Sequence, residues 1–161
     1  MWRALAALLL LGACARAPDT GDEAAAGQAL EGAARNAGIV ADARDAAGVY
    51  AAGEDRVCMT RSAADSYRIG VSVDYGEGHR CIAHGTAKGR PTLDTDLGAG
   101  CRMPITRDGD RLLFPPRAPA ACARLCQGRA TLDALAVDRL SEAGGEAARL
   151  RGADGKLLCA N

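Results

Sequence analysis

The chain of 161 residues is poor in large rings: aromatics make up 3% of it, with one Phe, three Tyr and one Trp. The Trp stands at position 2, so the body of the chain has almost no bulky residue to centre a core on. A small domain of that kind buries little apolar area per residue and usually needs covalent help. Net charge is absent too. Twenty Lys and Arg balance 20 Asp and Glu, which leaves no global field to gather a polyanion, and nucleic-acid binding is not expected. Cys-x-x-Cys does not occur, which argues against a thioredoxin-like redox site or a covalently attached haem. Ser62, Ser66, Ser72 and Ser141 have no Gly-x-Ser-x-Gly surroundings, and Gly76-Glu77-Gly78 runs into a strand pattern rather than a helix, so neither a nucleophile elbow nor a phosphate loop is signalled.

What is present starts at the N-terminus. Met1, Trp2 and Arg3 precede an apolar run from Ala4 to Leu11, and the chain turns polar directly after Cys14. That is the layout of a secretory signal peptide, too short to cross a bilayer as a folded helix. Leu11-Gly12-Ala13-Cys14 resembles the lipobox of bacterial lipoproteins. The resemblance implies cleavage after residue 13 and a diacylglycerol on Cys14, the acylated first residue of the mature chain. An aspartate after that cysteine tends to retain such proteins in the inner membrane. Here the position is Ala15, and the resemblance points to the outer membrane, with the domain facing the periplasm or the cell surface.

Seven cysteines less Cys14 leave Cys58, Cys81, Cys101, Cys122, Cys126 and Cys159, an even set. In an exported chain these read as disulfides, in any of fifteen pairings. Each bridge contributes about 2 to 4 kcal/mol, mainly by restricting the unfolded chain, so reduction is expected to unfold the domain. Zinc at Cys122 and Cys126 is disfavoured, because structural zinc sites use two short cysteine pairs and only one exists here.

Along the chain, Ala15 to Asp22 reads as a tether carrying Pro18 and Gly21. From Glu23 to Ala47, Ala26, Leu30, Ala33, Ala34 and Ala37 share a helical face, but Gly27 and Gly32 interrupt it and only Leu30 is large, which leaves open whether the helix docks. Residues 14–47 thus form a lipid-anchored, Ala-rich leader and 48–161 the folded domain. Strand patterns follow at 56–61, 67–75, 79–86, 92–97, 101–106 and 111–114, the clearest being Tyr67 to Tyr75, apolar at every odd position. Asp108-Gly109 is a strong hairpin signal, and Pro104 suggests an edge or a bulge. Pro119 starts a short helix that Gly128 stops, with Cys122 and Cys126 stapling it to different parts of the sheet. Residues 131–140 are ambiguous, with a lean to helix; 146–150 reads as a turn or two of helix and 156–159 as a last strand. The expected fold is α+β: mainly antiparallel sheet, a meander or small barrel, with short C-terminal helices.

Candidate chemistry is sparse. His79 and His84 are five apart in a strand pattern and face opposite sides, so they cannot easily share a metal. Asp94 and Asp96 share a face, with Asp74 on a neighbouring strand, and a solvated sheet face explains them better than acid/base or calcium chemistry. No metal site, cofactor or catalytic group is expected. The chain looks loosely similar, in size, anchor and hairpin content, to small outer-membrane lipoproteins that inhibit lysozyme or secreted proteases, but no inhibitory loop can be matched. The function expected is that of a non-enzymatic binding module, its ligand unknown, with the loops Glu77 to Arg80 and Lys88 to Arg90 as the surface to consider. The alternative is a structural lipoprotein that tethers another envelope protein or a cell-wall component. A hydrolase is the lesser alternative, in which Asp94 or His79 would be indispensable to activity but not to folding.

Overall fold

A computed structural model describes residues 20–36 and 45–159. The lipobox with Cys14, and the tether as far as residue 19, lie outside the described residues. The chain divides into two compact units, 1–40 and 41–161. In the first, α1 runs Thr20–Asn36, starting three residues before the expected helix and taking in the end of the expected tether. Leu30, the one large residue of its apolar face, is 73% exposed.

The second unit is a closed antiparallel barrel of eight strands in sequential order. They are β1 Gly48–Ala52, β2 Asp55–Ala63, β3 Ser66–Asp74, β4 Arg80–Lys88, β5 Thr92–Asp96, β6 Arg102–Asp108, β7 Arg111–Leu113 and β8 Ala136–Ser141. Period-two alternation sets which side faces in. Val57 and Met59 of β2, Ile69, Val71 and Val73 of β3, Leu93 of β5, Ile105 of β6 and Leu112 of β7 fill the interior, all buried. Eight strands make a barrel just wide enough to be filled by its own side chains. The outer wall carries exposed Asp94, Arg102, Arg111 and Asp138, charges that a lipid-facing strand avoids and a water-facing one accommodates. Pro104 pairs with Asp94 at a level of β6 that β7, paired only with Thr106–Asp108, does not reach. At that point β6 is locally an edge, where a missing N–H removes no ladder bond.

Two expectations near the C-terminus are corrected. Residues 136–141 form β8, not helix, and pair with both β7 and β1 to close the barrel. Val137 and Arg139 point inward in period two, while Leu132 and Leu135, which completed the helical spacing, belong to the preceding loop and are buried there. The 156–159 segment is not a strand. After the single turn α2, Gly144–Ala147, it forms a strap along the outside of β2–β4. Val49, Cys58, Ala147, Leu158 and Cys159 make a second, smaller core there, with Ile82 and Leu150 against it. Gly70 allows the close approach, since a Cβ at that position would stand 2.1 Å from the Leu158 carbonyl oxygen.

All six cysteines are bridged: Cys58–Cys159, Cys81–Cys126 and Cys101–Cys122. The first holds the strap to β2. The other two hold the long β7–β8 connection to the mouth of the barrel through a 3-10 helix, Ala120–Leu125, with Pro119 as its N-cap. The two cysteines of that helical turn therefore reach two different parts of the sheet, as their spacing implied.

Candidate functional site

β4 contributes alternate residues to the two sides of the wall: Cys81 and Ala83 face inward, and Arg80 and Ile82 face outward. β5 meets β4 only at Thr86–Lys88, so the first half of β4 is free on one side to receive another segment. The chain beyond the 3-10 helix takes that place. Cys126 bonds to Cys81, and the Gln127 N–H donates to the Arg80 carbonyl at 2.7 Å. Arg124, Leu125 and Gln127 are thereby set beside Arg80 and Ile82. From the other direction comes the strap's turn at Asp154. Its position is fixed by the Ala153 N–H, which donates to Ser72 Oγ at 3.0 Å, and by the Lys156 N–H, which donates to Asp154 Oδ1 at 3.0 Å. Between them lies a cleft of about 260 Å³ lined by Arg80, Ile82, Arg124, Leu125, Gln127 and Asp154.

The charges in this cleft are available. Most of the other described arginines on the strands face a carboxylate: Arg61 pairs with Asp45, Arg102 with Asp96, Arg111 with Asp138 and Arg139 with Glu142, and in the β4–β5 turn Arg90 pairs with Asp65. Among the described residues the Arg80 and Arg124 side chains have no hydrogen-bond or ion-pair partner. Asp74 stands opposite Arg80 in the β3–β4 register, but its Oδ1 accepts the Gly76 N–H at 2.9 Å. Arginine offers a planar fork of donors suited to carboxylate or phosphate.

A second hollow of about 230 Å³ lies within the β7–β8 connection, along Pro119, Cys122, Cys126 and Leu132. Its polar groups are already used. Asp133 Oδ1 accepts the Ala118 N–H at 2.7 Å, and Thr131 Oγ1 accepts the Asp133 N–H at 3.1 Å. It is a feature of the loop's own packing.

The far end of the barrel holds a charged cluster that no sequence spacing announces. Asp45, buried, accepts the Ala47 N–H at 3.1 Å and pairs with Arg61. Burial raises the Asp45 carboxyl, but the Ala47 N–H, the Arg61 guanidinium and the Tyr67 hydroxyl together outweigh it and hold the pKa below the ordinary carboxylate value. Arg139, its side chain 3% exposed, lies over the Tyr50 ring at 5.4 Å, donates to the Asp45 carbonyl at 2.7 Å and pairs with Glu142 at 3.0 Å. The Tyr50 hydroxyl donates to the Ala46 carbonyl at 2.9 Å, and burial pushes that phenol up. Asp45–Ala47 therefore belong to the barrel, three residues ahead of its expected start at Gly48.

The residues singled out from sequence are scattered. His79 Nδ1 accepts the Arg129 N–H at 3.1 Å, so its proton sits on Nε2; Gly128 leaves the ring room to approach. His84 Nδ1 lies 2.8 Å from the Leu158 carbonyl and must carry the proton. One imidazole ties down the β7–β8 connection and the other the strap. Asp96 is lowered by its bond from Arg102, Asp94 is exposed beside it, and Asp74 lies on β3, separated from β5 by β4. No group of three or more His, Cys, Asp or Glu suited to a metal occurs among the described residues. Of the two expected binding loops, Glu77–Arg80 leads into the cleft. Lys88–Arg90 sits at the opposite end, with Arg90 paired to Asp65. Arg124 and Asp154 were missed as site residues, because they reach the cleft only through the Cys81–Cys126 bridge and the path of the strap. No family model, curated protein or solved structure matches the chain.

Proposed function

We propose that the protein is a lipid-anchored lipoprotein of the outer membrane, held by acylated Cys14, whose barrel is a non-enzymatic binding module that makes contact through the Arg80–Arg124 cleft. The observation that carries this reading is the pair of unpartnered guanidinium groups in a rigidly framed cleft, on a barrel whose interior is filled by its own residues. A filled barrel takes its ligand at the surface. Inhibition of a lysozyme or a secreted protease is a narrower form of the same role.

A second reading is favoured by α1, a helix of 17 residues with an exposed apolar face. On that reading the leader is a spacer, and the protein tethers another membrane protein or a cell-wall component. Exchanging α1 for a flexible linker of equal length abolishes a tethering role and leaves a binding module working.

The test of the anchor is the intact mass of the chain extracted from bacterial membranes, with thiols alkylated before and after reduction. A mature chain starting at acylated Cys14, labelled six times only after reduction, is the expected result. An unacylated chain would remove the envelope assignment.

A further inference from the structure

The cleft presents more than positive charge. Its lining also brings together two guanidinium forks, Arg80 and Arg124, one carboxylate, Asp154, and the aliphatic side chains of Ile82 and Leu125. Asp154 Oδ1 is engaged by the Lys156 N–H, which leaves Oδ2 as an acceptor. At about 260 Å³ the cleft is smaller than the several hundred cubic ångströms usual for a whole small-molecule ligand. It suits one residue of a longer chain.

A free peptide C-terminus has a group to match each of these. Its carboxylate is planar and acceptor-only, matching an arginine fork; its last amide N–H is a donor close by; its side chain, when aliphatic, needs a dry wall. We infer that the Arg80–Arg124 cleft captures the C-terminal residue of a peptide chain, the free α-carboxylate between the two guanidinium groups, an aliphatic side chain against Ile82 and Leu125, and the terminal amide N–H on Asp154. This rests on the reading of the barrel as a binding module and names what the module takes. A phosphate would satisfy the arginines equally. It has no use for Ile82 and Leu125, and Asp154 would repel it.

The frame is stiff where it must be. Arg80 is next to Cys81, and Arg124, Leu125 and Gln127 flank Cys126, so one disulfide and the 2.7 Å Gln127–Arg80 backbone bond hold both arginines on fixed backbone. A preorganised site loses less entropy when its ligand arrives. Asp154 is held from beneath by Ser72 through Ala153, and the strap that carries it is closed by Cys58–Cys159.

The test is an NMR titration of the isotopically labelled full chain in nonionic detergent, with the dipeptide acetyl-Ala-Leu bearing a free carboxylate. Saturable shifts at the Arg80 and Arg124 Nε–H groups and the Ile82 amide are expected, and the carboxamide form of the same peptide should bind at least roughly tenfold more weakly. Arg80→Gln and Arg124→Gln should each weaken the free acid roughly tenfold while leaving the melting temperature within about 2 °C of the parent. Asp154→Asn should weaken the peptide and leave inorganic phosphate no weaker. Equal binding of acid and carboxamide, no saturation at millimolar peptide, or phosphate binding as tightly as the peptide at the same resonances would each overturn the inference. Failure of the peptide together with an acylated, fully bridged chain from membranes would remove this inference and leave the anchored module standing. Peptide capture by an unacylated chain would do the reverse.

Discussion

The two charged regions of the barrel unit use arginine in opposite ways. At the end capped by Asp45–Ala47, Arg139 is almost wholly buried, stacked on Tyr50 and bonded to the Asp45 carbonyl and Glu142. On the β4 wall, Arg80 is half-buried and Arg124 exposed, and neither has a partner. A guanidinium inside a barrel needs its charge compensated, because an unpaired buried charge is costly; both Nη groups of Arg139 are hydrogen-bonded and its Nε, which makes no hydrogen bond, faces Asp110 at 3.4 Å. A guanidinium at the rim of a solvated cleft can stay unengaged, and its donors remain for a ligand. The first cluster is a cap that finishes the fold; the second is a surface the fold presents.

Reduction strikes both regions and has the largest expected effect. With three bridges contributing about 2 to 4 kcal/mol each, the sum rivals the net stability of a domain this size, and the far-ultraviolet circular dichroism of the reduced chain should show the barrel lost at room temperature. A reduced chain that still melts cooperatively near the oxidised one would show that the apolar interior suffices. Next comes Arg139→Ala, which removes a ring contact and bonds to Asp45 and Glu142. It should cost about 2 to 3 kcal/mol in denaturant unfolding without weakening peptide capture at the other site.

Asp45→Asn follows, at about 1 to 2 kcal/mol near neutral pH. The pH dependence has a definite sign. The Asp45 pKa is lower in the folded chain than in the unfolded one, so its stabilisation is complete above the ordinary carboxylate value of about 3.9 and is lost as pH falls through the folded value. The parent should lose stability below about pH 4, and the Asn variant should lose less over that window. An identical acid limb in both proteins would separate Asp45 from acid unfolding. The smallest effect on stability belongs to Arg80→Gln and Arg124→Gln, within about 0.5 kcal/mol, where the change should fall on peptide capture alone. Substantial destabilisation by either would mean that the cleft arginines also belong to the cap's class.

Much of the strand layout was legible because it is local. Tyr67 to Tyr75 alternates without a break, and Asp108-Gly109 closes a hairpin within a few residues of itself. β8 was not legible, since Leu132, Leu135, Ala136 and Leu140 fall at helical spacing, and only the vacancy between β7 and β1 makes a strand of 136–141. The 156–159 segment read as a strand because the Asp154-Gly155 turn leads into it, yet it lies as a strap along the outside of β2–β4 instead. The site was half legible. Arg80 stood in a loop marked for contact, while Arg124 and Asp154, 44 and 74 residues further on, gave no sign of joining it.

The sequence by itself determined that an even set of cysteines would pair, that the middle of the chain would be antiparallel strands with one apolar side, and that Pro119 to Gly128 would hold a helical turn tied to two places. These follow from periods of two, turn residues and cysteine parity, which act over a few neighbours. Only the tertiary structure decided that the sheet closes, which of fifteen pairings forms, and that Arg80, Arg124 and Asp154 share one cleft. Each of those depends on groups from 21 to 101 residues apart meeting in space, and contact at that range is set by how the whole barrel packs rather than by any stretch of it.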